Sequence, residues 1–92
     1  MAAARLRVHI TGRVQMVGFR AFTQDEAARL GIVGWVRNTP DGAVAVVAEG
    51  ERTALEEFLA ALRRGPHGAR VDDVTASWSP PENEFDDFYL RY

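Results

Sequence analysis

Gly12-Arg13-Val14-Gln15-Met16-Val17-Gly18-Phe19-Arg20 is the stretch where an alternating apolar run stops and a helical pattern begins. Two glycines bracket it and an arginine closes it. In such a strand-to-helix turn the free backbone N–H groups point at whatever sits above the helix start, and the helix dipole favours an anion there. Arg20 is out of place in that setting. A cation in the first helical turn opposes the dipole at a cost of roughly a few tenths of a kcal/mol, unless an anion lies between the two. One reading is an oxyanion cradle. The other is a tight turn permitted by the glycines, with Arg20 in solvent.

Upstream of this stretch, Leu6, Val8 and Ile10 alternate with Arg5, Arg7 and His9, the period of a half-buried strand. His9 then falls on the polar face as a solvated histidine. Downstream, Phe19, Phe22, Ala27 and Leu30 share one side of a helix that Gly31 would close in the left-handed conformation, with Asp25, Glu26 and Arg29 toward water. Ile32 to Asn38 reads as a second strand. Thr39-Pro40-Asp41-Gly42 turns the chain into Ala43 to Ala48, making a hairpin. Val44, Val46 and Ala48 line one face of that strand. The small Ala43 and Ala45 predict a lightly packed opposite side.

Leu55, Phe58, Leu59 and Leu62 have core-facing helical spacing within a helix from about Glu51 to Arg64, and Gly65-Pro66 stops it. Arg63 and Arg64 suit the negative end of its dipole. Val71, Val74, Ala76 and Trp78 form a fourth strand with an irregularity near Asp72-Asp73, and Pro80-Pro81 ends it. Asp72 and Asp73 read as a solvated strand end rather than a metal pair, because no histidine, cysteine or third carboxylate clusters with them. Glu82 to Asp87 is an acidic surface loop. Phe88, Leu90 and Tyr92 alternate with Tyr89 and Arg91 as a short last strand.

The order strand, helix, strand, strand, helix, strand is the split βαβ arrangement. The expected fold is α+β and ferredoxin-like (βαββαβ), a two-layer sandwich with both helices on one face of an antiparallel sheet. At 92 residues the chain reads as one domain, 1–92. Its 47% apolar and 26% charged content is that of an ordinary soluble globular protein, and no apolar run approaches the roughly 20 residues of a membrane span. There are no cysteines, so disulfides, thiolate metal sites and a cysteine nucleophile are excluded. Met1-Ala2-Ala3-Ala4 is too short for the apolar core of a signal peptide, which makes the cytoplasm the expected compartment. A net charge of −2 weighs against nucleic acid as the main partner.

In the expected topology the first strand and Ile32 to Asn38 run the same way with Ala43 to Ala48 between them. The cradle loop and Asn38 then share one edge of the sheet, about two strand spacings or roughly 10 Å apart. Asn38 either caps the following turn or holds a water molecule over an anion in the cradle.

Gly12 to Arg20, together with Gly34-Trp35-Val36-Arg37-Asn38 and Asp41-Gly42, closely resembles the acylphosphatases. The likeness extends over Gly50, Leu55 to Leu62, Gly65-Pro66, Gly68-Ala69-Arg70-Val71 and the aromatic tail. It implies hydrolysis of the carboxyl-phosphate anhydride of a small-molecule acyl phosphate, with inorganic phosphate as product or inhibitor and with no metal or cofactor. Arg20 is implied to bind the phosphoryl group together with the N–H groups of a loop formed by Gln15, Met16, Val17, Gly18, Phe19 and Arg20. Asn38 is implied to orient the attacking water. The motif holds no serine, cysteine, histidine or carboxylate, consistent with direct attack by water. A monomer with no membrane association is expected.

Met16 departs from the family pattern, which typically has glycine there. If the loop requires positive φ at that position, methionine costs on the order of 1 to 2 kcal/mol and tilts the N–H groups. The competing reading is therefore a phosphate-binding or regulatory module with weakened catalysis. An RNA-recognition module on the same framework fits less well, since no central strand carries a run of aromatics. Trp35 and Trp78 read at least in part as packing residues.

Overall fold

The computed structural model describes residues 2–92. The elements follow in the order β1 (Ala3–Arg13), α1 (Phe19–Leu30), β2 (Val33–Asn38), β3 (Val44–Glu51), α2 (Arg52–Arg64), β4 (Arg70–Ser79) and β5 (Phe88–Arg91). They build one five-stranded sheet of order β4-β1-β3-β2-β5. β1 pairs antiparallel with β3 and β4, and β2 pairs antiparallel with β3. This is the expected split βαβ frame, with β1 and β2 parallel to each other across β3. The added β5 runs parallel to β2, with Trp35 opposite Tyr89 and Arg37 opposite Arg91, so the sheet is mixed rather than purely antiparallel.

Alternation decides which face the helices cover. Leu6, Val8 and Ile10 of β1, Val44, Val46 and Ala48 of β3, Val36 of β2 and Phe88 of β5 join Phe19 and Ala27 of α1 and Leu55, Phe58 and Leu62 of α2 in one core. Each fully buried Leu or Phe contributes about 1.5–3 kcal/mol over an exposed one. The Phe58 and Phe88 rings meet edge to face at 6.0 Å, fastening the last strand to the second helix. Trp78 packs against the core as expected, and the Arg52 guanidinium covers its ring at 3.7 Å. One polar residue enters the helix layer unannounced by the pattern. Thr23 is fully buried, its hydroxyl donating to the Phe19 carbonyl at 2.8 Å.

The opposite face departs from expectation. Ala45 is only half covered, but Ala43, Val47, Arg5 and Glu49 are buried there. Over Arg5 and Glu49 the acidic loop supplies the cover. The main-chain N–H groups of Glu82 and Asn83 donate to the Glu49 carboxylate at 2.9 and 3.0 Å, and Arg5 bonds both Glu49 (2.7 Å) and Glu84 (2.9 Å). Arg5 thus belongs to a buried ion pair, not to a solvated strand face. Burial opposes ionisation of Glu49, yet the Glu82 N–H, the Arg5 guanidinium and the Asn83 N–H outweigh it and hold its carboxyl below the usual carboxylate range.

The irregularity expected near Asp72-Asp73 is a bulge. Thr11 pairs with Asp73 and Gly12 with Val71, leaving Asp72 unpaired in the ladder. Gly12 is required there: at φ 127° a β-carbon would lie 2.1 Å from the Arg70 carbonyl oxygen. The strand consequently runs on to Arg13, and the loop proper is shorter than the glycine-bracketed stretch. Asp72 is exposed and takes two bonds from Arg70, at 2.8 and 3.1 Å, which lower its carboxyl pKa. No helix among the described residues is long and apolar enough to cross a membrane.

Candidate functional site

Between β1 and α1, Val14 is buried in the core and Val17 packs against it, which pins the loop at two points. Met16 lies between them at φ 63°, with its side chain fully exposed (101%). Gly18 then caps α1 in the left-handed conformation (φ 78°), with open space where a β-carbon would stand. No side chain caps this helix and no acidic residue occupies its first turn. The first-turn N–H groups have no intrahelical acceptor. Arg20 stands among them, half-buried.

These residues open into a cavity of about 180 Å³ lined by Val14, Met16, Gly18, Phe19, Arg20, Ala21, Asn38 and Leu90. Sequence reasoning placed Arg20 and Asn38 at the same sheet edge, and both line this one cavity. Of the expected loop residues, Met16, Gly18, Phe19 and Arg20 border it, while Gln15 and Val17 do not. Val17 faces the core. The Gln15 amide instead donates to the carbonyls of Thr39 and Ala43, both at 2.8 Å. Leu90 and the Arg91 carbonyl, contributed by β5, were not foreseen as neighbours of the site. Arg20 donates from Nη1 to the Arg91 carbonyl at 3.0 Å, and its Cζ lies 4.6 Å from the Tyr92 ring centroid.

Asn38 ends β2, opposite Val44. The turn after it is held by other groups. Thr39 N–H donates to the Ala43 carbonyl at 2.9 Å, Gly42 N–H to the Thr39 carbonyl at 3.2 Å, and Ala43 N–H to the Thr39 hydroxyl at 3.0 Å. The Thr39 hydroxyl in turn donates to Asp41, which lowers the Asp41 carboxyl pKa. Asp41–Gly42 therefore serves as turn chemistry. His9 is exposed on the open face with Nε2 4.0 Å from Asp41 Oδ2, away from the cavity lining. No group of three or more His, Asp or Glu side chains that could hold a metal ion occurs among the described residues.

The acylphosphatase family model matches residues 6–90, nearly the whole chain. The chain belongs to the acylphosphatase family. Among its relatives, the acylphosphatase of Salinibacter ruber is 48% identical over 87 residues, covering 95% of this chain and 92% of that one. That of Syntrophotalea carbinolica is 46% identical over the full length of both. The crystal structure of the Bacillus subtilis acylphosphatase superposes with a TM-score of 0.93 at 37% identity, over 97% of this chain and 99% of that one. Membership makes the protein a hydrolase.

Proposed function

We propose that the protein hydrolyses the carboxyl-phosphate bond of small acyl phosphates, with Arg20 and the loop N–H groups holding the phosphoryl group and Asn38 orienting water. The observation that carries the reading is the cavity at the α1 N-terminus, lined by both Arg20 and Asn38. A guanidinium forms paired, charge-assisted bonds to phosphoryl oxygens. With Nη1 bonded to the Arg91 carbonyl, the remaining donors of the Arg20 fork stay free for an anion. The uncapped N–H groups of α1 add fixed positive potential where charge spreads over the equatorial oxygens.

Water held by the Asn38 amide attacks phosphorus in line with the leaving oxygen. The new O–P bond forms as the bond between phosphorus and the acyl oxygen breaks, and the carboxylate departs with the electron pair. The water proton passes to a phosphoryl oxygen, giving inorganic phosphate. A carboxylate is a good leaving group, so no general acid is called for.

A second reading, an anion-binding or regulatory module on the same fold, rests on Met16, whose left-handed backbone is unfavourable for a side chain. Phosphate release from benzoyl phosphate, followed with and without a chelator, separates the two. Turnover that withstands the chelator is expected. A folded protein that binds phosphate without hydrolysing the substrate would overturn the enzyme reading.

A further inference from the structure

We infer that Gln15 is a positioning residue that sets Asn38 relative to the phosphoryl cradle. The inference rests on the roles proposed for Arg20 and Asn38. The Gln15 side chain is half-buried and leaves the loop sideways, and its Nε2 donates to both Thr39 O and Ala43 O at 2.8 Å. Two carbonyl acceptors can be met only by the amide nitrogen, so the partners fix the orientation of the group. Both of its N–H bonds therefore link the β1–α1 loop to the turn that begins one residue after Asn38.

The turn does not require these bonds to close. Thr39 O also accepts from Gly42 N–H at 3.2 Å, and Ala43 O from Thr39 N–H at 2.9 Å. What the Gln15 bonds add is a direct polar tie between two segments that are otherwise joined through the sheet and the apolar packing of Val14 and Phe19. β3 lies between β1 and β2, so the cradle and Asn38 hang from strands that do not touch. An in-line attack tolerates little error, and a misplacement of about 1 Å can cost about 10²-fold in rate. Met16, the next residue, keeps its left-handed backbone only while its neighbours over-determine it, and the pair of bonds on Gln15 supplies that restraint.

The test is a kinetic cycle with benzoyl phosphate as substrate and inorganic phosphate as competitive inhibitor, on wild type, Gln15→Met, Asn38→Ala and the double variant. Methionine matches the length of glutamine and donates nothing. Gln15→Met is expected to lower kcat about tenfold or more while the phosphate inhibition constant moves by less than about threefold. In the Asn38→Ala background the same substitution should lower kcat by less than about twofold, because the group it positions is gone. Gln15→Glu, whose carboxylate only accepts, should give the same split and serves if Gln15→Met folds poorly. Equal losses in both backgrounds, or a parallel loss of phosphate affinity, would overturn the role of Gln15 alone. An inactive wild type would overturn the proposed activity, and this inference with it.

Discussion

Arg20 and Arg91 are joined by a bond from a side chain to the main chain, Nη1 to carbonyl oxygen at 3.0 Å, between the first turn of α1 and the end of β5. The parallel pairing of β5 with β2 brings that carbonyl to the sheet edge where Asn38 sits. A cation at the positive end of a helix is thus oriented by an acceptor 71 residues away. Arg20→Ala should abolish both phosphate inhibition and turnover while the thermal midpoint shifts little, since Arg20 lies outside the apolar core. Arg20→Lys keeps the charge but loses the fork, and a fall in kcat/KM of about 10²-fold or more is expected. Phosphate inhibition that survives Arg20→Ala would remove Arg20 from the anion site.

Asn38→Ala should separate binding from chemistry. The phosphate inhibition constant is expected to stay within about threefold while kcat falls about 10²-fold or more, as when one preorganised polar contact at a reacting centre is lost. Near-normal kcat would return Asn38 to a purely local role at the end of its strand.

Met16→Gly relieves a left-handed residue whose side chain is fully exposed and buries nothing. The relief of about 1–2 kcal/mol is partly offset by about 0.5–1 kcal/mol of extra chain entropy lost by glycine on folding. A net gain of up to about 1.5 kcal/mol follows, or a few degrees in Tm, with phosphate affinity equal or higher. Calorimetry checks the first part and inhibition by phosphate the second. A large loss of turnover would show that the methionine itself serves the reaction.

The Glu49 carboxyl titrates below its ordinary value of 4.5 in the folded protein. A depressed folded value contributes stability that is complete above the unfolded value and disappears as pH falls through the folded one. Tm is therefore expected to drop as pH is lowered below about 4.5, and to drop less steeply in Glu49→Gln. Glu49→Ala removes the buried partner of Arg5, which keeps Glu84, and leaves the Glu82 and Asn83 N–H groups without their acceptor, at a cost of about 1–3 kcal/mol at neutral pH. Thermal melts from about pH 3 to about pH 7 check both statements.

Periodicity made the frame legible: the spacing of Leu6, Val8 and Ile10, and of Leu55, Phe58 and Leu62, marked the faces that the core uses. Pairing Arg20 with Asn38 needed only the order of the strands. The partners of Arg5 were hidden because Glu49 and Glu84 lie 44 and 79 residues away and its place in the alternation read as solvated. Thr23 was hidden for a related reason, since its hydroxyl is satisfied within its own helix turn and so can enter an apolar layer. Gln15 was read through its backbone alone, while its side chain reaches a turn 24 to 28 residues on.

Because β5 supplies the Arg91 acceptor, the site is whole only where β5 lies paired beside β2. The same strand buries Phe88 against Phe58 in the core, so the packing of α2 and the orientation of Arg20 depend on one short segment.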